Sequence, residues 1–229
     1  MTVKVKICGV RTPAILDAAV TAGADLVGLV FFAKSPRNVT IEQAAVLANA
    51  ARGKVGTVAV LVDPDDTTID AIMGTVRPDM LQLHGAEAPE RVAAIKKRTG
   101  LPAFKAIPVT EASDVARAGA YAGVADQILF DAKAGPGDVL PGGNGVAFDW
   151  RVLASAPQPF ALSGGLNADN VAQAIRLTRA ALVDVSSGVE TAPGEKDADL
   201  ITQFIRAARA AAPQHANGRG SAPKHAKAS

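Results

Sequence analysis

The sequence contains very little cysteine, histidine or aromatic residue. Among 229 residues there are one cysteine, Cys8, three histidines and 4% Phe, Trp and Tyr. A structural zinc site takes about four Cys or His ligands, and haem or iron–sulfur attachment takes spaced cysteines, so we expect no metal. A single cysteine also excludes a disulfide within the chain. Scarce cysteine, and an N-terminus without a signal-peptide pattern, predict a cytoplasmic protein.

Long apolar runs and a strong excess of charge are also missing. Apolar stretches such as 26–33 fall far short of the ~18 residues of a membrane span, so no membrane partner is expected. The net charge is +2, but 213–229 holds three of the 24 bases and no acid, which leaves 1–212 with 21 bases and 22 acids. A slightly acidic body with few aromatics argues against a nucleic-acid partner. We expect one catalytic domain over 1–212 and a disordered basic tail over 213–229.

Eight short apolar runs recur along 1–212, with centres about 20 to 30 residues apart, as one strand–helix unit demands. Each run is nearly continuous in apolar residues, which is typical of strands buried on both faces. The predicted strands are Val3–Ile7, Leu26–Phe31, Val55–Leu61, Met80–Leu83, Ala103–Ile107, Gln127–Phe130, Phe160–Leu162 and Ala181–Ser186.

Helix start and stop signals lie between these runs. Thr12 and Pro13 predict a helix that ends at Gly23, and Thr40 to Gln43 reads as a capping box. Asn167 is expected to cap a helix over 168–178. Further helices are predicted at 66–73, 89–97, 111–118 and 197–211.

Eight such units in about 210 residues predict a single-domain α/β fold, a (β/α)8 TIM barrel with an all-parallel eight-stranded core. An open doubly wound sheet is the alternative. It normally carries a glycine-rich fingerprint after its first strand, and Cys8-Gly9-Val10-Arg11 has no such pattern.

In a barrel, the carboxyl ends of the strands face the reaction. Two glycine turns, Ser163-Gly164-Gly165 and Ser186-Ser187-Gly188, follow the last two strands, where barrels commonly bind phosphate through backbone N–H groups. Gly143, in a glycine-rich loop, is expected to add a further donor. The partner predicted by these turns is a small phosphorylated molecule. The other polar strand ends are Cys8, Arg37, Asp63, His84, Lys105, Asp131 and Asp184.

Cys8 and Asp131 are the candidate base and acid. A thiolate can remove a proton if nearby positive charge lowers the pKa of its thiol, and burial can keep a carboxyl protonated and able to donate. Arg37 offers a planar donor fork for a carboxylate. A Cys8–His84 dyad would instead imply a hydrolase or acyltransferase, and a non-catalytic phosphate-binding barrel is another alternative.

The chain resembles the phosphoribosylanthranilate isomerase family from Val5 to about Phe204. Several fragments carry the resemblance together, in order and at successive strand ends. They are Lys6-Ile7-Cys8-Gly9, Gly28-Leu29-Val30-Phe31, Ser35-Pro36-Arg37, Leu81-Gln82-Leu83-His84-Gly85, Asp131, Gly143-Asn144-Gly145, Phe148-Asp149-Trp150, Leu162 to Asn167, and Val183 to Glu190. Asn144 departs from the family, in which a hydroxyl residue is common at that position.

The resemblance implies an Amadori rearrangement of N-(5-phosphoribosyl)anthranilate without cofactor or metal. It implies Asp131 as general acid and Cys8 as general base. Arg37 would bind the anthranilate carboxylate, and His84 and Asp184 would lie near the substrate. The phosphate would lie on Gly143, Gly164, Gly165, Ser187 and Gly188.

A histidine-pathway isomerase performs the same rearrangement, but that family has an aspartate where Cys8 stands. Monomer and homodimer both stay open.

Overall fold

The eight predicted strands form a closed barrel in which neighbours pair in sequence order. The computed structural model describes residues 2–133, 148–157 and 159–211, and all barrel pairings among them are parallel. The predicted (β/α)8 architecture is therefore confirmed. The strands are β1 (Lys4–Cys8), β2 (Leu26–Phe31), β3 (Gly56–Leu61), β4 (Met80–Leu83), β5 (Ala103–Val109), β6 (Gln127–Ala132), β7 (Ala161–Leu162) and β8 (Leu182–Val185).

Seven α-helices accompany these strands in the described part of the chain: α1 (Pro13–Ala22), α2 (Ile41–Ala51), α3 (Asp66–Thr75), α4 (Pro89–Thr99), α5 (Ala112–Ala116), α6 (Val171–Thr178) and α7 (Ala198–Ala210). The start signals act as predicted at α1 and α2. The Thr12 hydroxyl accepts from the Ile15 amide, Gly23 ends α1 with φ +88°, and the capping box of Thr40 and Gln43 is formed.

Two helices differ from the sequence expectation, and one helical segment was not predicted. The Asn167 side chain accepts hydrogen bonds from the amides of Asp169 and Asn170, but these close a turn, and α6 begins only at Val171. The helix expected over 111–118 is a short α5 followed by a 3₁₀ helix, Arg117–Tyr121. Between β6 and β7 in chain order, where no helix was predicted, the described segment forms a 3₁₀ helix, Trp150–Ser155. Local caps signal where a turn starts, but packing decides how far it continues.

Alternation along each strand divides the buried side chains into two clusters. The larger cluster lies between the strands and the helices and includes Val27 and Leu29 of β2. The smaller fills the barrel interior and includes Leu26 and Val30 of the same strand, together with Cys8. On each strand, every second residue, in step with the members of this smaller cluster, thus faces the barrel axis.

A small antiparallel hairpin follows β8. It consists of β9 (Glu190–Ala192) and β10 (Glu195–Lys196) and is joined to β8 by a 3₁₀ turn, Ser187–Val189. Arg11, which follows β1, donates to the Gly194 carbonyl at 3.5 Å. The hairpin therefore lies beside the loop that follows β1. No helix in the described residues is both long and apolar enough to cross a membrane.

Gly143, the glycine loop around it and the predicted tail, 213–229, lie outside the described residues. The domain boundary at 212 stays a prediction.

Candidate active site

A pocket opens at the carboxyl ends of the barrel strands. Its empty space, counted together with the open mouth, is about 670 Å³. Most of the residues predicted from strand ends and turns line it together: Cys8, Arg37, His84, Asp131, Gly164, Gly165, Asp184 and Ser187. Gly188 directly follows Ser187 in the adjoining turn.

Cys8, at the end of β1, is 8% exposed and lies inside the barrel mouth. Gly28, on the neighbouring strand, leaves room for it, because a Cβ added to Gly28 would lie 2.9 Å from the Cys8 sulfur and 3.2 Å from Lys6 Nζ. Burial raises the pKa of the Cys8 thiol, and Lys6 and Lys196 oppose that effect without overcoming it. The positive charge expected near the thiol is present, but it does not bring the pKa below its ordinary value.

Lys6 forms a buried ion pair with Asp184, its partner on the neighbouring strand β8. Its Nζ lies 3.0 and 2.9 Å from the two carboxylate oxygens, and both side chains are almost fully buried. Burial alone would lower the pKa of Lys6, but Asp184 and Cys8 outweigh burial and raise it. Lys6 therefore remains an ammonium group beneath the catalytic thiol candidate.

Asp131, His84 and Gln82 form a hydrogen-bonded row. His84 Nε2 lies 3.0 Å from Asp131 Oδ2, and Gln82 Nε2 lies 2.8 Å from His84 Nδ1. The other oxygen of Asp131 accepts from the Ala132 amide at 2.9 Å. Since both ring nitrogens of His84 have these partners, the structure does not support a Cys8–His84 nucleophilic dyad.

Arg37 is held by a carboxylate that sequence reasoning did not assign to it. Its Nε and Nη2 each donate at 2.8 Å to one oxygen of Glu190, at the start of β9. Lys196 donates to Glu190 at 3.0 Å and to the Ser186 carbonyl at 3.1 Å. Gly9, with φ +82°, makes room for Arg37, because a Cβ there would meet the Arg37 Cδ at 2.8 Å. The hairpin thus fixes the position of the guanidinium at the pocket.

The two glycine turns meet at the same rim. Gly164 has φ +90°, and a Cβ on it would approach the Ala132 amide nitrogen, next to Asp131, to 2.4 Å. A Cβ on Gly188 would approach the Leu166 carbonyl oxygen to 1.9 Å. Neither glycine position has room for a side chain. The two turns therefore leave a concave surface where backbone N–H groups can approach an anion.

Two of the predicted polar strand ends, Lys105 and Asp63, are not among the residues that line the pocket. Lys105, 2% exposed, has the outward parity of β5 and donates to Glu87 at 2.7 Å and to the Gly85 carbonyl at 2.7 Å. Glu87 also accepts from the amides of Asp63 and Gly85. This buried cluster holds the loop that follows β4, and with it the backbone next to His84.

Sequence reasoning missed the roles of Lys6, Gln82, Glu190 and Lys196. Lys6 and Gln82 each lie two residues before a predicted site residue, so strand alternation could have placed them on the pocket side. Glu190 and Lys196 carry no comparable local signal, because only the hairpin brings them to Arg37. In the described part of the chain, no cluster of three or more His, Cys, Asp or Glu is arranged to hold a metal ion.

The family model described as N-(5'phosphoribosyl)anthranilate (PRA) isomerase matches residues 5–207. The chain belongs to this family. An N-(5'-phosphoribosyl)anthranilate isomerase of Rhodopseudomonas palustris is 58% identical over 212 residues, which cover 92% of this chain and 97% of that relative. One of Azorhizobium caulinodans is 55% identical over 213 residues, covering 92% and 93%.

Solved phosphoribosylanthranilate isomerases have the same fold. The structure from Thermotoga maritima has a TM-score of 0.82 at 37% identity and covers 91% of this chain and 99% of that one. Another was solved in complex with reduced 1-(o-carboxyphenylamino)-1-deoxyribulose 5-phosphate, with a TM-score of 0.79 at 35% identity and coverage of 91% and 99%. The resemblance noted from the strand-end motifs is confirmed. Members of this family are aldose–ketose isomerases of tryptophan biosynthesis.

Proposed function

We propose that Cys8 and Asp131 carry out the isomerisation of N-(5-phosphoribosyl)anthranilate as general base and general acid. The observation that carries this proposal is their position on the wall of one pocket, which also contains the Arg37 guanidinium and two glycine turns. A carboxylate at one end of the substrate and a phosphate at the other match those two features. The product is 1-(2-carboxyphenylamino)-1-deoxyribulose 5-phosphate.

In the first step Asp131 gives its proton to the ribose ring oxygen. The bond between that oxygen and C1 breaks, and the lone pair of the anthranilate nitrogen forms a C=N bond, which yields an iminium ion. The Asp131 carboxylate left behind accepts hydrogen bonds from the Ala132 amide and from His84 when Nε2 of that ring carries the proton. These two bonds stabilise the negative charge that develops during the step.

In the second step the Cys8 thiolate removes the proton on C2. The electron pair of that C–H bond forms a C1=C2 bond, and the C=N electrons return to nitrogen, which gives an enolamine. The enolamine becomes the ketone by losing its hydroxyl proton and gaining one at C1. Because the iminium itself accepts the electrons, the reaction has no need of a cofactor.

The raised pKa of the Cys8 thiol fits this order of events. A buried thiol stays protonated until positive charge accumulates beside it. The iminium supplies a second positive charge next to the one on Lys6, so after the ring has opened the thiol gives its proton to solvent at the open mouth of the pocket and becomes the thiolate base. Lys6 is then a permanent electrostatic support for the base.

We assign Arg37, oriented by Glu190, to the anthranilate carboxylate, and Gly164, Gly165, Ser187 and Gly188 to the phosphate. His84 and Asp184 line the same pocket and would lie near the substrate. Gly143 remains part of the proposal on sequence grounds only.

Scarce cysteine favours a reducing compartment, the cytoplasm, for this reaction. A solved relative from Thermotoga maritima is described as dimeric with monomers generated from it, and we propose a monomer or homodimer here.

The test is incubation of the purified chain with freshly made phosphoribosylanthranilate, following loss of substrate and appearance of the ketose. Separate Cys8→Ala and Asp131→Asn variants should each lose about 10²–10⁴ in turnover. Asp79→Asn is the matched control, because Asp79 accepts from the Thr57 amide at the opposite end of the barrel and should affect only stability. Near wild-type turnover of either variant would remove that residue from the assignment.

A further inference from the structure

We propose that Gln82 is a positioning residue that selects the His84 tautomer with its proton on Nε2, so that His84 donates to Asp131 throughout the reaction. The inference rests on the proposed function, in which Asp131 is the general acid. It adds a residue that acts through His84 and has no direct contact with the reacting atoms.

The strand geometry brings Gln82 to this position. Gln82 lies on β4 two residues before His84, has the inward parity of the barrel and is 0% exposed. Its Nε2 is 2.8 Å from His84 Nδ1, and His84 Nε2 is 3.0 Å from Asp131 Oδ2. One side chain therefore contacts the ring nitrogen that faces away from the acid.

An amide nitrogen can only donate a hydrogen bond. Nδ1 of His84 must then accept, which leaves the single proton of a neutral imidazole on Nε2. That N–H points at Asp131 both before and after Asp131 has given up its proton. The carboxylate is stabilised as soon as it forms, with no rearrangement of the ring or of its protons.

The environment of the Gln82 amide oxygen indicates that this side chain is present for the sake of its nitrogen. Gln82 Oε1 is buried and has no hydrogen-bond partner among the described residues, which is unfavourable for a carbonyl group. A methionine has nearly the same length and would avoid that cost, so packing alone does not require an amide here. If the Gln82 amide were reversed, its oxygen would face His84 Nδ1 and stabilise a proton there. The lone pair of His84 Nε2 would then face the Asp131 carboxylate, and the two would repel each other.

Nitrogen NMR of the full chain labelled with ¹⁵N-histidine tests the proposal without reference to activity. The chain has three histidines, and the signals of His84 are identified by their loss in His84→Gln. At neutral pH, wild type should show a protonated Nε2 and an unprotonated Nδ1. Gln82→Met should show a mixture of tautomers. Gln82→Glu should show a protonated Nδ1, because a carboxylate accepts from it.

Kinetics supply the second readout. Gln82→Met should lower kcat by about tenfold or more while KM changes less than about twofold, because the acid loses its oriented donor and substrate contacts are kept. Thr57→Val is the matched control, since Thr57 is a buried polar strand residue bonded to Asp79 at the opposite end of the barrel. It should change stability and leave both kcat and the His84 signals unchanged.

A neutral Nδ1–H tautomer in wild type, or an unchanged Nε2–H tautomer in Gln82→Met, overturns the proposal. So does wild-type kcat in Gln82→Met when Asp131→Asn is impaired. Wild-type turnover of Asp131→Asn would instead overturn the assignment of the acid, whatever the NMR result. If Gln82→Met does not fold, the wild-type and Gln82→Glu spectra decide the question.

Discussion

Arg37 and Glu190 are joined by two parallel hydrogen bonds of 2.8 Å, although 153 residues separate them in the chain. This bidentate pair fixes the plane of the guanidinium at the pocket wall. Glu190 is itself held by Lys196 and by the Gly194 amide. The orientation of the proposed carboxylate-binding group thus depends on a hairpin outside the barrel.

Glu190→Gln should therefore impair substrate binding more than chemistry. A glutamine offers one acceptor oxygen instead of two, so Arg37 loses a bond and its orientation. We expect KM to rise about tenfold with a smaller change in kcat, as measured by steady-state kinetics. Asp149→Asn, which removes one partner of an exposed Arg151 pair, is the control and should leave both constants unchanged. An unchanged KM in Glu190→Gln would show that Arg37 does not depend on this pair.

The same carboxylate should make stability depend on pH. Burial disfavours the charged form of Glu190, but Arg37 and Lys196 outweigh burial and lower its pKa from 4.5 to about 2. A lowered folded-state pKa contributes stability that is complete above the unfolded value and is lost as the pH falls toward 2. The excess stability of wild type over Glu190→Gln, measured by urea unfolding, should shrink by about 2 kcal/mol between pH 7 and pH 3. A difference that stays constant with pH would contradict the shift.

Cys8 should alkylate slowly at neutral pH. Because burial raises the pKa of its thiol, little thiolate is present, and the rate of reaction with iodoacetamide should still be rising at pH 9. The urea-unfolded chain is the control, with the same single cysteine in water, and it should reach its plateau at lower pH. A folded-state plateau below that of the unfolded chain would mean that Lys6 and Lys196 dominate over burial.

Lys6→Met should destabilise the chain strongly. It leaves the Asp184 carboxylate buried without its ion-pair partner, a change that typically costs about 3–5 kcal/mol. The double variant Lys6→Met/Asp184→Asn removes both charges and should recover most of that loss in urea unfolding. Additive losses in the double variant would mean that the two residues do not act as a pair.

Gly188→Ala should weaken phosphate binding. The added methyl group would lie 1.9 Å from the Leu166 carbonyl oxygen, so the two glycine turns must move apart. Inhibition by inorganic phosphate should weaken about tenfold, which a competition assay measures. Gly74→Ala, in α3 with open space at its Cβ, is the control and should bind phosphate normally, with a stability gain of up to ~1 kcal/mol. Unchanged inhibition in Gly188→Ala would place the phosphate elsewhere.

The local sequence was sufficient for the barrel and for the strand-end residues. Apolar runs of three to seven residues predicted all eight strands to within two residues at each end, because strands buried on both faces must be continuously apolar. Caps at Thr12 and Thr40 predicted where α1 and α2 begin. Closure of the barrel then places every strand end on one rim, which is why Cys8, His84, Asp131 and Asp184 could be named before any contact was known.

Only the tertiary structure decided which groups pair with these residues. Glu190, the partner of Arg37, comes from the hairpin, and His84, a partner of Asp131, comes from the end of β4, and such long-range pairing leaves no local pattern. Whether burial or a neighbouring charge dominates a pKa likewise depends on depth and distance in three dimensions. The sequence by itself determined the parts of the site, and the closed barrel with its hairpin determined their burial, partners and orientation.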